Sequence, residues 1–524
     1  MQCWPIVYVI KFQPMQGLPK KMYEFQRQHP VAAISRAFGL IRGNLITILV
    51  FLFVGARSES FPFLWWIAGG FALLLILGVA NWWRFLYKIE DGELHIKSGI
   101  FVRKNLYLTK DRIQVIDITS GVIQRLFGLV KLDIQTAGSS SREAAIEAVT
   151  IEKAKEINRI LRSQKGDGEQ VNVDENGEPA VKDEIKKKFN LPGKELLIAA
   201  STSGSFGIAL SILATLFSQI EPIISESELF EYLFGMLPSQ TDTILIISVI
   251  VIFVVVAWLI SFFSTLFTYG DFHLELKEKE IVISRGIFEK KRITVPYNRI
   301  QAIHVAEGLI RQPLGYASIH LESAGYGDDK GTGSIVLFPL IRQDQILPLL
   351  DEVLPDYQKH HEGIKPPARA LRRYLLRSAF LITAITAALY YAFDLNNWIW
   401  ILPLLSIFWG WLKYKDAAVA WGEDIFLFRS RALSKTTAYI RKNRVQDITI
   451  SQSWIQRYRN LCSVQVHVAS GDQGKSFAVR DLEYDEAFIL MREIKGKTEL
   501  TQEFSDLTEP ERWVSLPGWP QAAN

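Results

Sequence analysis

At 524 residues the chain is too long for one ordinary domain. Hydrophobic residues make up 49% and charged residues 22%, a balance that excludes both a wholly soluble globule and a chain lodged entirely in lipid. The net charge of +4 is small for this length and does not point to nucleic acid, and the two cysteines, Cys3 and Cys462, offer neither a metal-ligand spacing nor a disulfide framework.

Residues 1–36 read as an N-terminal segment. Its first 21 residues lack the basic start and small-residue cleavage pattern of a secretory signal, and the natural-looking beginning is MYEFQRQHPVAAI, so 1–21 is read as an over-long gene start. Residues 37–86 predict a first transmembrane hairpin, because a spanning helix needs roughly 20 mostly apolar residues. Its members are about Ala37–Ala56, where Arg42 lies near the cytoplasmic end and can snorkel outward, and FPFLWWIAGGFALLLILGVANWW. Residues 87–162 predict a soluble module. In VKLDIQT, Val130, Leu132 and Ile134 alternate with Lys131, Asp133 and Gln135, the period of a half-buried strand. The amphipathic stretch IEKAKEINRILRS closes the module as a helix. The polar stretch 163–194, without apolar periodicity, reads as a flexible linker.

A second hairpin over 195–268 joins LLIAASTSGSFGIALSILATLF to TILIISVIVIFVVVAWLISFFSTLF. The small residues from Ser201 to Ser205 are read as close helix packing. A second module, 269–357, a linker, 358–374, a third hairpin, 375–414, a third module, 415–497, and a tail, 498–524, complete the chain. The connections within the second and third hairpins carry no Lys or Arg, whereas the opposite flanks carry Arg84, Lys88, Arg369, Arg372, Arg373, Arg377, Lys413 and Lys415. By the positive-inside rule both termini and all three modules are cytoplasmic.

The unit therefore occurs three times, and each copy carries one signature: KDRIQVIDI, YNRIQAIHV and KNRVQDITI. Arg112 and Gln114, Arg299 and Gln301, and Arg444 and Gln446 are its recurrent residues. An arginine in this place can grip a phosphate, but in a fold signature a structural ion pair or turn cap is favoured. A short apolar turn follows each time, GVIQRLFG, GLIRQPLG and SWIQRYRN. In the third copy Arg431 replaces Gly99 and Gly286, and Asn460 replaces Gly128 and Gly315, so its loops are expected to differ.

Three hairpins each followed by such a module, the opening RQHPVAAI, the SGIF and RGIF turns and the RIQ/RVQ signature together resemble the YdbT-like bacterial membrane proteins, which carry bacterial pleckstrin-homology domains. The resemblance runs from about Met22 to Lys497. It implies six transmembrane α-helices in three hairpins, alternating with three α+β pleckstrin-homology-like domains, each a bent antiparallel sheet with a C-terminal helix. It implies a multi-pass protein of the bacterial cytoplasmic membrane, no catalytic activity, and hence no catalytic residue, cofactor or metal. The partners expected for this chain are the bacterial cytoplasmic membrane, anionic lipid through the basic residues named next, and a protein such as a smaller related membrane protein.

The candidate lipid- or partner-binding residues follow the SGIF turn and its counterparts: Arg103 and Lys104, then Lys290, Lys291 and Arg292, then Lys435. They are read as exposed basic loops that either meet anionic lipid, where each charge near the membrane is worth about 1 kcal/mol, or are ordinary solvated charge runs. His320 and His467 are read as outward strand positions and not as ligands. The function expected is a non-enzymatic membrane-anchored scaffold that presents its modules to a protein or to anionic lipid. The competing expectation is a transporter or exporter component regulated by those modules, which a broken helix at mid-membrane would favour.

Overall fold

The computed structural model describes residues 24–43, 62–90, 93–100, 102–109, 113–136, 144–162, 186–224, 242–324, 334–353, 362–393, 396–422, 424–471 and 474–495. The expected start and tail segments, most of the 163–194 linker, Arg112 and the connections within the first two hairpins lie outside them. The chain divides into two compact units, Met1–Val295 and Pro296–Asn524, and the division falls inside the second sequence module.

In the first unit, β1 (Gln26–Arg27), β2 (Leu86–Glu90), β3 (Glu93–Ser98) and β4 (Lys104–Thr109) form one antiparallel sheet. They are followed by β5 (Ile113–Ser120), a five-residue helix (Val122–Leu126), β6 (Leu129–Thr136), β7 (Ala144–Thr150) and the helix Ile151–Arg162. Period-two alternation turns Ile96 and Leu108 of one sheet and Ile116, Leu132 and Ile134 of the other into a shared core, closed by Ala154, Ile157 and Leu161 of the helix. Each fully buried aliphatic side chain there contributes about 1.5–3 kcal/mol.

The second sheet does not stop at the module boundary. The strands β8 (Lys187–Asn190), β9 (His273–Leu276), β10 (Glu280–Arg285) and β11 (Lys290–Pro296) extend it into seven strands in the order β7-β6-β5-β11-β10-β9-β8. The seam is the pairing of β5 with β11: Lys290 faces Ser120, Lys291 faces Thr119 and Arg292 faces Ile118.

The second unit repeats this plan. It holds β12 (Ile300–Glu307), β13 (Tyr316–Ser323), β14 (Ser334–Arg342) and the helix Gln343–Val353, then β15 (Glu362–Ile364), β16 (Ala418–Trp421), β17 (Ile425–Arg431) and β18 (Lys435–Arg441). The order β14-β13-β12-β18-β17-β16-β15 again joins the second half of one module to the first half of the next. The last three strands, β19 (Val445–Ser451), β20 (Leu461–Val468) and β21 (Lys475–Glu483), form their own sheet before the helix Tyr484–Lys495.

The signature has a structural meaning in this frame. In all three copies the register of the strand shifts by one residue at the glutamine: between Ile113 and Val115, Ile300 and Ala302, and Val445 and Asp447. Such a bulge bends the strand. Arg299 and Arg444 close three-residue helical turns, Tyr297–Arg299 and Lys442–Arg444, just before it. In the third module this corner carries the chain from the seven-stranded sheet into the three-stranded one.

Several expectations change. Among the described residues two helices are long and apolar enough to cross a membrane, over Ile250–Tyr269 and Ala368–Ala392, or three if one bent pair counts as a single span. Six spans are thus not established: the first expected span is described only to Gly43, and the last, Ile401–Asp416, is a helix of 16 residues. The third expected span is broken into Gly193–Ser201 and Phe206–Ile224, bent by 45° at the serine-rich stretch. Short strands also occupy stretches read as linker. Lys187–Asn190 pairs with β9 and Glu362–Ile364 with β16, while Gln26–Arg27 in the N-terminal segment pairs with β2. At two to four residues, with polar sequences such as KKFN, they carry no periodic signal.

The two substitutions in the third module differ in consequence. Asn460 adopts φ +52°, the left-handed conformation of Gly128 and Gly315, which an Asn side chain tolerates. Arg431 is not among the positive-φ residues, whereas Gly99 and Gly286 stand at φ +98° and +105°. A Cβ on Gly286 would lie 2.0 Å from the Glu289 carbonyl oxygen, while one on Gly315 would meet nothing within 4 Å. Gly286→Ala should therefore cost about 2–3 kcal/mol. Gly315→Ala should cost less, and thermal unfolding of the two full-length variants measures the difference.

Candidate membrane-surface site

The helix Asp242–Tyr269 ends where the candidate span Ile250–Tyr269 ends. Its apolar residues Ile250, Val251, Ile252 and Phe263 are exposed, not packed against protein, as a lipid-facing surface requires. The RGIF turn is fastened to its last turn. Gly286 N donates to Gly270 O at 2.7 Å, Ile287 N donates to Phe267 O at 2.9 Å, and the Phe267 and Phe288 rings lie 4.5 Å apart. Arg285 stacks over the Tyr269 ring at 5.1 Å. Ile287 and Phe288, two and three residues on from Arg285, remain exposed.

Next to the turn is a cleft of about 330 Å³ along the β5–β11 seam. Arg285, Lys290, Lys291 and Arg292 line it, with the Ser120 and Ser284 hydroxyls, His273 and one carboxylate, Asp271. Lys290 Nζ lies 2.8 Å from Asp271, and Arg292 lies 3.7 Å from Glu275. The hydrogen bond from Lys290 holds the Asp271 carboxyl below the usual carboxylate range, so it stays anionic. His273 sits 2.9 Å from Asp271 on one ring nitrogen and 3.0 Å from Asn190 Oδ1 on the other. Cations thus outnumber carboxylates, and the cleft can take an anion that also accepts hydrogen bonds.

The residues expected on basic loops are in fact at or next to the start of strands. Lys290 and Arg292 are exposed, and Lys291 is half-buried on β11. The second seam differs from the first: Lys435 faces Glu307 across it, with Nζ and Oε1 2.9 Å apart, so this cation is neutralised where Lys290 faces Ser120. Arg103 and Lys104 are exposed at the beginning of β4. Arg431 is buried, ion-paired to Asp416 and bonded to Gln312, and its guanidinium lies 5.5 Å over the Trp409 ring.

The signature residues do not converge on this cleft. Gln301 is buried and donates to Arg299 O at 3.1 Å. Arg444 donates to Asn298 O at 2.8 Å, tying the third signature to the second across their seam, and Gln446 is exposed. Gln114 holds the bulge position in the first copy. Sequence reading missed Arg285, Asp271 and His273. Arg285 precedes the turn glycine, where Ser98 stands in the first copy, so the repeat alignment carried no signal for it. The seam that brings Ser120 to the cleft joins residues far apart in the chain.

Comparison with known proteins agrees with the repeat. The bacterial PH domain family matches residues 35–165, 230–355 and 370–498. The chain is 35% identical over 487 residues, 90% of its length and 98% of the relative's, to the UPF0699 transmembrane protein YdbT of Bacillus subtilis (strain 168). It is 25% identical over 131 residues, 23% of its length and 81% of the relative's, to the UPF0699 transmembrane protein YdbS of the same organism.

Proposed function

The chain belongs to the UPF0699 family of transmembrane proteins with bacterial PH domains, and from that premise we propose that it is a non-enzymatic membrane-anchored scaffold whose basic cleft meets anionic lipid headgroups. The reading puts the three PH-like modules on the cytoplasmic face. The observation that carries it is the attachment of the RGIF turn to the last turn of the Asp242–Tyr269 helix. That attachment sets exposed Ile287 and Phe288 close in the chain to Arg285 and Lys290, exposed apolar residues next to cations, the pattern suited to a membrane surface. Strand sharing supports the scaffold half of the reading, since within each unit sheet hydrogen bonds join the strands of one module to those of the next.

The test exchanges purified full-length protein from membranes of mixed acidic and zwitterionic lipid into neutral detergent and measures the lipid retained. Wild type should keep acidic lipid in preference. Replacing Lys290, Lys291 and Arg292 together with Gln should abolish that preference, and high salt should erase the difference. Gln is chosen because Glu would set like charges against Asp271 and Glu275. Equal retention by both proteins would remove the lipid reading and leave a scaffold for protein alone. The transporter reading draws on the 45° break between Ser201 and Phe206, where Thr265 donates to Ser203 at 2.7 Å and Trp258 donates to Ser201 O at 3.2 Å. Solute flux in reconstituted vesicles separates the two readings.

A further inference from the structure

Among the described residues the seam is made twice, and the strands that make it are recognisable at both ends of the repeat. β12 pairs with β13 on one edge and with β18 on the other, and every β12 residue is buried except half-buried Ala306. Within the second seam Ile303 stands opposite Tyr439. The repeat places Tyr107 of β4 where Tyr439 stands in β18. Tyr439 is half-buried at the seam; Tyr107 is 60% exposed. Among the described residues β4 is paired only with β3, through one edge. Its other edge is the one that β11 and β18 give to the preceding signature strand.

The opposite end is built differently. The outer edge of β19 is also unpaired among the described residues, but its exposed positions are Gln446, Asp447, Thr449 and Ser451. Asp447 stands where the paired signature strands have Val115 and Ala302, and Ala302 is fully buried in a seam core. A carboxylate at that place opposes burial, which is how natural sheets protect a terminal edge. The two ends are therefore unlike: β19 is capped, and β4 carries an exposed aromatic where a seam would cover it.

We propose that the free edge of β4 is a docking site for the signature strand of a separate, one-unit member of the same family, which adds to the sheet in the register of the internal seams. A family member of this size is known. The 131 matched residues make up 81% of the smaller relative, which leaves room for one hairpin-and-module unit and not for two. On the plan of the repeat seen here, a single unit would have a signature strand with no following module to cover it. The β4 edge supplies that cover, by the main-chain pairing that strand addition uses elsewhere. A second copy of this chain is the poorer occupant, because its own unpaired signature strand carries Asp447, which the seam register would place opposite Leu108 in a buried position.

The experiment uses the full chain with a photoreactive amino acid in place of Tyr107, co-expressed in membranes with the Bacillus subtilis YdbS protein and with a differently tagged copy of the full chain. A control chain carries the photoreactive residue at Gln446. The expected result is an adduct from position 107 to the smaller protein, within its signature strand, at least tenfold above that from position 446. Tyr107→Asp, at an exposed site that leaves the fold intact, should reduce co-purification of the smaller protein at least tenfold with no change in thermal unfolding. An adduct from position 107 to the second copy would replace the proposal by self-assembly. No adduct at 107, or equal adducts at 107 and 446, would overturn it.

Discussion

Leu321→Asp should unfold β13 and the strands bonded to it, with a loss of several kcal/mol. Leu321 is fully buried on the inward face of β13, between β12 and β14, and a carboxylate there has no partner and no water. Ile134 in β6 and Val466 in β20 hold the equivalent place and are equally buried, so Ile134→Asp and Val466→Asp should fail in the same way. The adjacent outward positions should not behave alike. Gln465 is half-buried on the terminal sheet, and Gln465→Ala should stay within about 0.5 kcal/mol. Asp133 holds the same place in the first module but is buried, 3.4 Å from Lys131, and Asp133→Ala should be clearly destabilising. Limited proteolysis of the full-length variants ranks them. Equal sensitivity of Gln465→Ala and Asp133→Ala would show that the outer faces do not differ.

Asp481→Ala should destabilise the third module by about 3 kcal/mol, the lower end of the range for breaking a buried ion pair. Asp481 is fully buried at the end of β21 and takes up φ +57°. Arg373 lies 2.8 Å from it and Arg377 3.5 Å, and Gln456 donates to it at 2.8 Å. Both arginines belong to the helix Leu371–Phe393. One carboxylate thus fastens the start of this helix to the sheet, and Arg369 adds an ion pair to Glu483. The lower figure applies because Arg373 keeps some access to water once its partner is gone. Asp481→Asn keeps a residue that tolerates the left-handed backbone and an acceptor for Arg373, so it should cost less than Ala. A thermal midpoint that is unchanged in Asp481→Ala would mean that the helix and module are held by apolar contacts alone.

These two sites also show how far sequence carries. Leu321, Ile134 and Val466 are legible because strict alternation marks one face of a strand. The terminal helices are legible because their apolar residues recur at helical spacing. The other face is not. Asp133 and His320 sit in polar alternation and read as wet, yet Asp133 is buried, and His320 stacks on buried His304 with ring centroids 4.8 Å apart. The His304 and His320 face is met by Phe477 of the third module, 5.8 Å from His304, and nothing local in the sequence records that. The basic cluster Lys290–Arg292 was legible as chemistry but not as geometry. The pairing that makes it one wall of a cleft links residues 290–292 to residues 118–120. Arg373 and Arg377 read as membrane-flank charges, which is compatible with their second role in holding Asp481.

The short strand pairs at the mouth of the hairpins have a mechanical consequence. Lys187–Asn190 runs toward the membrane helices and His273–Leu276 runs away from them, and Asn190 pairs with His273 while Lys187 pairs with Leu276. The two ends of this hairpin therefore leave the sheet side by side. Spreading the helices laterally would pull on the ladder from that end only, so its bonds would break in succession, each resisting with about 1 kcal/mol. A tilt of both helices together would load none of them. The ladder is thus soft to lateral opening of its membrane anchor and stiff to displacement along the strands, and a change in bilayer tension or thickness would reach its Asn190–His273 end first.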